Sequence, residues 1–293
     1  MRSSKQTIAV ARTGASVGLV LVALVAGCAK KQPPALTEVV AQRVAALPAS
    51  PDDPAWKNVP AFTAPLILQD MVEPRLLVAS TPSVDVQALT DGSQVSFRLT
   101  WTDSTMNDLP GAARFMDACA VQLPSLAGAN VPAPQMGETG GRVEMTYWSA
   151  AWQADVDGRP DSIQALYPNA AVDHYPFDAA SLPRGSAEQL AMEKRYAPAR
   201  NANRIEHPAD RPVQDLIAEG PGTITPVEET RSSGRGRWTG MKWGVVITRP
   251  LPTALAGQPR TQVAFAVWNG AKEEVGARKM RSVWIPMSVG GAP

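Results

Sequence analysis

The sequence predicts a mainly β protein, an antiparallel β-sandwich with a long, partly helical, loop-rich insertion. Three observations predict it. Short runs alternate between apolar and polar residues, Gly/Pro/Asn/Asp turn signals separate them, and one stretch, about 155–236, is rich in Pro, Gly, Arg and Asn and poor in such runs.

The runs can be taken in chain order. "LLVAS" (76–80) reads as a first strand and "DVQAL" (85–89) as the next. Asp91-Gly92 is a hairpin signal leading into "QVSFRLTW", where Val95, Phe97, Leu99 and Trp101 share one face and Gln94, Ser96, Arg98 and Thr100 the other. "ACAVQL" (118–123), "VEMTYWSA" (143–150), "WGVVITR" (243–249) and "QVAFAVW" (262–268) are further strands. Asn269-Gly270 closes the last of these with a turn, and "RSVWIPMSV" (281–289) reads as a single final strand. Within the 155–236 stretch, "SAEQLAMEKRY" predicts one short helix, because Ser186 and Gln189 have capping-box spacing and Pro198 stops it. "VQDLIAEGPGTITP" (213–226) reads as a proline-punctuated piece of the same excursion. The sandwich domain is thus expected over 50–289, with the insertion wrapping one side.

The start of the chain speaks to location. Arg2, Lys5 and Arg12 precede a ten-residue apolar run at 17–26, which is too short to span a bilayer. "VAGC" ends the run, so residues 1–27 resemble a lipoprotein signal peptide, with Cys28 the lipidated first mature residue. An ordinary cleaved signal with Cys28 incidental is the plainer reading. A polar, proline-bearing tether over 28–49 follows. The expected location is exported and periplasmic, lipid-anchored to the membrane.

Removing residues 1–27 takes away three basic residues and no acidic ones, moving the formal charge from +1 to −2. That balance argues against nucleic acid as a partner. With Cys28 acylated, Cys119 is the one thiol left, expected to be buried and inert. C-x-x-C-H is absent, so covalent haem attachment is excluded, and no cysteine spacing suits zinc. G-x-S-x-G, H-E-x-x-H and a phosphate-binding glycine loop are missing too, and the only histidines, His174 and His207, have no plausible nucleophile near them in sequence. "GRGRW" (234–238) is basic with an aromatic, a single weak patch. No catalytic residues are assigned.

One short stretch stands out. In "PAPQMGETGG" (132–141), Met136, of a residue type that usually fills gaps in apolar cores, sits between prolines and glycines, in turn and loop chemistry and not in a core helix or strand. "DPAWKNVPAFTAPLILQD", "FRLTWTDST", "FMDACAVQLP", "PAPQMGETGG" through "YWSAAWQAD", and "VAFAVWNGAKEEVGARKMRSVWIPM" occur in that order. Together they resemble the haem-binding gamma subunits of periplasmic molybdenum enzymes of the dimethyl sulfoxide reductase class, over roughly 50–154 and 235–289. The resemblance implies a β-sandwich that holds one non-covalent haem b. It implies axial ligation by the methionine of a Pro-x-Met-Gly loop, here Met136, and by the lysine of "GARK", here Lys279. It also implies partners: iron–sulfur and molybdenum subunits and a periplasmic cytochrome. The chain would then be a non-catalytic electron-transfer subunit of an oxidoreductase complex.

The ligand pair makes physical sense. A thioether is a soft ligand that favours ferrous iron. Only a neutral amine donates a lone pair, so Lys279 must lose its proton, as burial favours. Arg278 and Arg281 would push the same way, or meet haem propionates. Read alone, Lys279 is a surface lysine and Met136 a buried gap-filler. Lys242 and Lys272 are the neighbouring lysines to confuse with the first, Met145 and Met280 the methionines to confuse with the second. His174, in "AAVDHYPF", is an alternative iron ligand opposite Met136. The opposing function is a lipid-anchored, carbohydrate-binding-module-like sandwich without haem, suggested by the "D-P-A-W" phrase and eight tryptophans. A family member that lost its haem and serves as a docking scaffold is a third.

Overall fold

The computed structural model describes residues 36–111, 113–126, 131–159, 168–169, 181–183, 185–196 and 210–291. Cys28, His174 and His207 lie outside the described residues. The described chain is mainly β, with strands β1 (Val39–Arg43), β2 (Phe62–Pro65), β3 (Ile67–Leu68), β4 (Ser83–Thr90), β5 (Gln94–Thr102), β6 (Ala118–Pro124) and β7 (Val143–Ser149) in its first half. Helices α1 (Ala150–Val156) and α2 (Ala187–Tyr196) follow. Strands β8 (Val213–Ala218), β9 (Thr225–Pro226), β10 (Ser233–Trp238), β11 (Lys242–Pro250), β12 (Arg260–Trp268), β13 (Met280–Arg281) and β14 (Ile285–Gly291) complete it.

Two layers pack face to face. One runs β10-β11-β5-β4-β1-β14, and the other β12-β6-β7-β8-β9. Strand β12 belongs to both: Arg260–Val263 pair with β14, while Ala264–Trp268 pair with β6. A strand that changes sheets in this way makes the corner of a sandwich. All pairings are antiparallel except those of β1, which runs parallel to both β4 and β14.

Large aromatics fill the space between the layers. Trp101 and Trp243, paired across β5 and β11, stack at 6.4 Å, and Trp148 from the opposite layer meets Trp243 edge-on at 5.1 Å. Phe97 on β5 meets Phe265 on β12 at 6.0 Å. Such edge-on contacts add about 0.5–1.5 kcal/mol each beyond area burial. Under this cluster lies Asp117, fully buried. Its Oδ2 accepts from Trp243 Nε1 (3.0 Å) and the Asn107 amide (2.7 Å), and its Oδ1 accepts from the Gly270 amide (2.8 Å). Burial, with a smaller push from the charge of Asp103, raises its carboxyl pKa to about 6.

Most of the expected strands form, including the Asp91 turn, whose Oδ1 accepts from the Ser93 and Gln94 amides at 2.8 Å. The helix at 186–196 forms as well. Ser186 Oγ accepts from the Gln189 amide at 3.2 Å, while Gln189 Oε1 reaches back to the Gly185 amide at 2.7 Å. Cys119 is fully buried, and burial lifts its thiol well above the usual range.

Four expectations are corrected. "LLVAS" forms no strand: Leu76 is buried, but Leu77 and Val78 are 80% and 76% exposed. "RSVWIPMSV" is two strands, broken at 282–284, where the Ser282 amide donates to the Phe265 carbonyl and Ser282 Oγ accepts from the Phe265 amide, both at 2.9 Å. Residues 39–43, expected as tether, form β1 inside the first sheet, between β4 and β14. The stretch to 236 is richer in strands than its composition suggests, since β8 pairs with β7 and β10 with β11. The composition of "GRGRW" has a packing reason. A Cβ on Gly236 would come within 2.1 Å of the Trp148 ring and one on Gly234 within 2.4 Å of Val213. The alternate residues Arg235 and Arg237 face outward and pair with Asp157 (3.0 Å) and Asp52 (2.6 Å).

Candidate functional site

The outward face of the second layer is not polar, as a solvated sheet face would be. Ala120 on β6 and Ala264 and Ala266 on β12 carry only methyl groups there, and Met145 and Tyr147 on β7, Leu216 on β8 and Trp268 on β12 stand around them. The result is an apolar cavity of about 620 Å³, floored by alanines and walled by loops. That volume falls within the range of small-molecule and cofactor sites, about 300–1,000 Å³.

One wall is the loop of Met136, and its backbone is held at nearly every carbonyl. Trp284 Nε1 donates to the Pro132 carbonyl (2.5 Å), Gln122 Nε2 to Pro134 (3.0 Å), the Gly137 amide to Ala133 (2.9 Å) and the Gly220 amide to Met136 itself (2.9 Å). The break between β13 and β14 matters here, because it comes where Trp284 reaches across to this loop. Met136 has φ +68°, a left-handed conformation that non-glycine residues adopt at a cost of about 1–3 kcal/mol. Gly137 follows at φ +79°, and a Cβ there would lie 2.4 Å from the Gly141 carbonyl oxygen and 3.1 Å from that of Ala218. The Met-Gly pair is therefore a geometric unit, in which glycine permits the turn that presents the thioether to the cavity.

The facing wall is the 274–279 segment between β12 and β13. Trp268 Nε1 donates to the Gly276 carbonyl at 3.0 Å, and Gln69 donates from Nε2 to Ala277 (3.0 Å) and from its amide to Lys279 (3.1 Å). Alternation about the buried Met280 leaves Lys279 and Arg281 lining the cavity. Lys279 Nζ lies 5.1 Å from the centre of the Trp268 ring and 3.9 Å from Met136 Sδ. Burial, reinforced by the positive Arg281, pushes its pKa down to about 8, so the neutral amine is accessible near physiological pH.

Met136 and Lys279, 143 positions apart in the chain, are thus brought together. The other residues considered beside them part ways. Met145 lines the same cavity, Met280 points into the core, and Lys242 and Lys272 are exposed elsewhere. Arg278 lies over the Phe115 ring at 5.5 Å. The alanine floor, Gln69, Gln122 and the edge-on aromatics Trp152, Tyr147 and Trp268, each pair at 5.3 Å, were missed by sequence reasoning. A signal for the floor existed: "ACAVQL" and "QVAFAVW" place alanine on the strand face that solvent would make polar.

A family model described as ethylbenzene dehydrogenase matches residues 53–280, which takes in both walls and the floor. The chain belongs to the ethylbenzene dehydrogenase family. Two curated relatives agree in kind. The chain is 26% identical to a putative respiratory nitrate reductase heme subunit of Haloferax mediterranei, over 84% of its own length and 70% of the relative's. It is 25% identical to the chlorate reductase subunit gamma of Ideonella dechloratans, over 77% and 73%. Among solved structures, a family 9 carbohydrate-binding module from Caldicellulosiruptor kristjanssonii matches 87% of this chain and 96% of its own, at 9% identity and a TM-score of 0.39. At that score the likeness carries no argument for sugar binding by this family member.

Proposed function

We propose that this chain is a non-catalytic electron-transfer subunit that holds one b-type haem in the 620 Å³ cavity, with Met136 and Lys279 as its axial ligands. The observation that carries the reading is the 3.9 Å approach of Lys279 Nζ to Met136 Sδ at the wall of an apolar cavity. The residues fit such a group in three ways. A soft sulfur and a readily neutralised amine face one another, a floor of methyl groups accepts a flat apolar ring, and a bulkless Gly137 sets the thioether. Bound there, the haem would supply one-electron chemistry, with the thioether favouring the ferrous state. The protein's own part is to hold the two donors, keep water from the ring and present its edge.

Family membership and the named relatives, a heme subunit and a gamma subunit of respiratory reductases, support a place in an oxidoreductase complex. We read the partners as molybdenum and iron–sulfur subunits on one side and a periplasmic electron carrier on the other. In keeping with this, we propose that residues 1–27 direct export and that acylated Cys28 anchors the protein to a membrane surface; the positive start, short apolar run and "VAGC" support this. Among the described residues no helix is long and apolar enough to cross a membrane.

The test is the visible spectrum of the protein supplied with haem, oxidised and reduced, beside M136A, K279A and M145A. A low-spin reduced spectrum that is lost in M136A and K279A and kept in M145A is expected. Loss in M136A with K279A unaffected would move the second ligand to His174, and a wild-type protein that takes up no haem would overturn the reading.

A further inference from the structure

Arg281 is 6% exposed and lines the cavity, yet its guanidinium is poorly satisfied. Nη2 reaches only the thioether of Met71, a weak acceptor, at 3.8 Å, and Nε and Nη1 are buried with no hydrogen-bond partner. The acid that acts on it through space, Asp70, is itself exposed. An arginine cannot shed its charge in a protein, so burying one without an anion is costly. The remedy available to other buried bases, losing the proton, is closed to it.

Its position says which anion is missing. Residue 281 pairs across the ladder with Ala266, part of the cavity floor, and with Ile67 on the other side. It shares the cavity side of its strand with Lys279, two residues earlier. A group lying on the alanine floor and reaching Lys279 therefore lies beside Arg281. Arg278, the other arginine of this segment, sits against the Phe115 ring and is not among the residues lining the cavity.

We propose that Arg281 is the carboxylate anchor of the cofactor: its unpartnered N–H groups receive a propionate of the haem and fix the rotation of the ring on the alanine floor. This rests on the haem reading above. Arg281 acts as a positioning residue, separate from the two iron ligands, and it selects among flat apolar rings for those that bear an acid.

The experiment compares haem with its dimethyl ester, in which both propionates are capped, in titrations of the wild-type protein, R281Q and R281K. Wild type is expected to bind haem about 10- to 100-fold more tightly than the diester, the worth of one charge-assisted hydrogen-bonded contact. R281Q is expected to lose that preference, R281K to keep part of it, and both to retain the low-spin spectrum at saturating haem. Equal binding of haem and diester by the wild type overturns the proposal without any variant, even if R281Q fails to fold. A preference that survives in R281Q overturns it as well. A wild type that binds neither ring overturns the haem reading instead, so the two failures are distinct.

Discussion

Lys279 Nζ stands 3.9 Å from Met136 Sδ, although 143 positions of chain separate the two residues. Neither donor is placed by its neighbours in sequence alone. The Met136 loop is fixed from β6, from the β8–β9 turn and from Trp284, and the Lys279 segment from Gln69 and Trp268. On the proposed reading, these two held side chains would be the donors offered to a haem bound in the cavity.

The proposed coordination by Lys279 needs the free amine, and a pKa of about 8 sets the window. Below pH 8 a proton competes for the lone pair, so haem affinity should rise by up to about tenfold per pH unit towards pH 8 and level off above it. The ligand-free protein should show the linked effect. The folded pKa lies below the ordinary 10.5, so between about pH 8 and 10.5 the unfolded chain binds the proton that the folded one has lost, and stability should increase with pH there. Haem titrations at stepped pH, beside denaturant melts of the apoprotein and of K279M, check both signs.

Gly137→Ala should be costlier than Gly140→Ala. Both glycines have φ near +80°, but a Cβ at 137 meets the Gly141 carbonyl oxygen at 2.4 Å, whereas one at 140 meets nothing within 4 Å. We expect a loss of about 1–3 kcal/mol more at 137, read as a fall in melting temperature of several degrees, together with a perturbed haem spectrum that the 140 variant lacks.

Filling the floor should weaken cofactor uptake and spare the fold. Ala120→Leu and Ala266→Leu add side-chain volume on the cavity side, where open space accepts it. Haem affinity is expected to fall at least about 10- to 100-fold, on the scale of an overpacking penalty, with the far-UV circular dichroism and melting temperature of the apoprotein near wild type. An unchanged haem affinity would place the ring elsewhere.

Asp117 carries a pH dependence of opposite sign to that of Lys279. Its folded pKa, about 6, lies above the ordinary 3.8, so between those values the folded state keeps a proton that the unfolded chain releases. Stability from this group is full below pH 4 and is lost as pH rises through 6. Asp117→Asn removes the titration, and because both Asp117 oxygens accept, the amide also sets donor against donor. The variant should be less stable throughout, and the wild type's advantage over it should grow as pH falls from 6 to 4 in paired denaturant melts.

The alternating runs revealed the strands wherever one face met the core and the other met solvent, as in β5. They failed where that contrast was missing. β10 was obscured because the Trp148 ring takes the space that side chains would occupy, leaving glycines that read as loop. β1 is a central parallel strand in a stretch whose polar, proline-bearing lead-in reads as a tether. "LLVAS" misled in the other direction, since its apolar residues join no sheet. The ligand candidates came from an ordered set of phrases matching a family, because neither a loop methionine nor a lysine beside arginines signals a site by itself. Their proximity depends on a sheet corner at β12 and a break before β14, long-range features that no local window contains.

The cavity floor has an evolutionary consequence. It exists by subtraction, as methyl groups at positions where the strands would hold larger side chains equally well. A single base change turns an alanine codon into one for valine, so a descendant could close the site in one or two mutational steps while its tryptophan core and strand order stayed intact. With the haem placed as proposed, inheritance of the fold and inheritance of the cofactor are separable, and a relative's capacity to carry electrons is better judged at residues 120, 264 and 266 than from the likeness of its backbone.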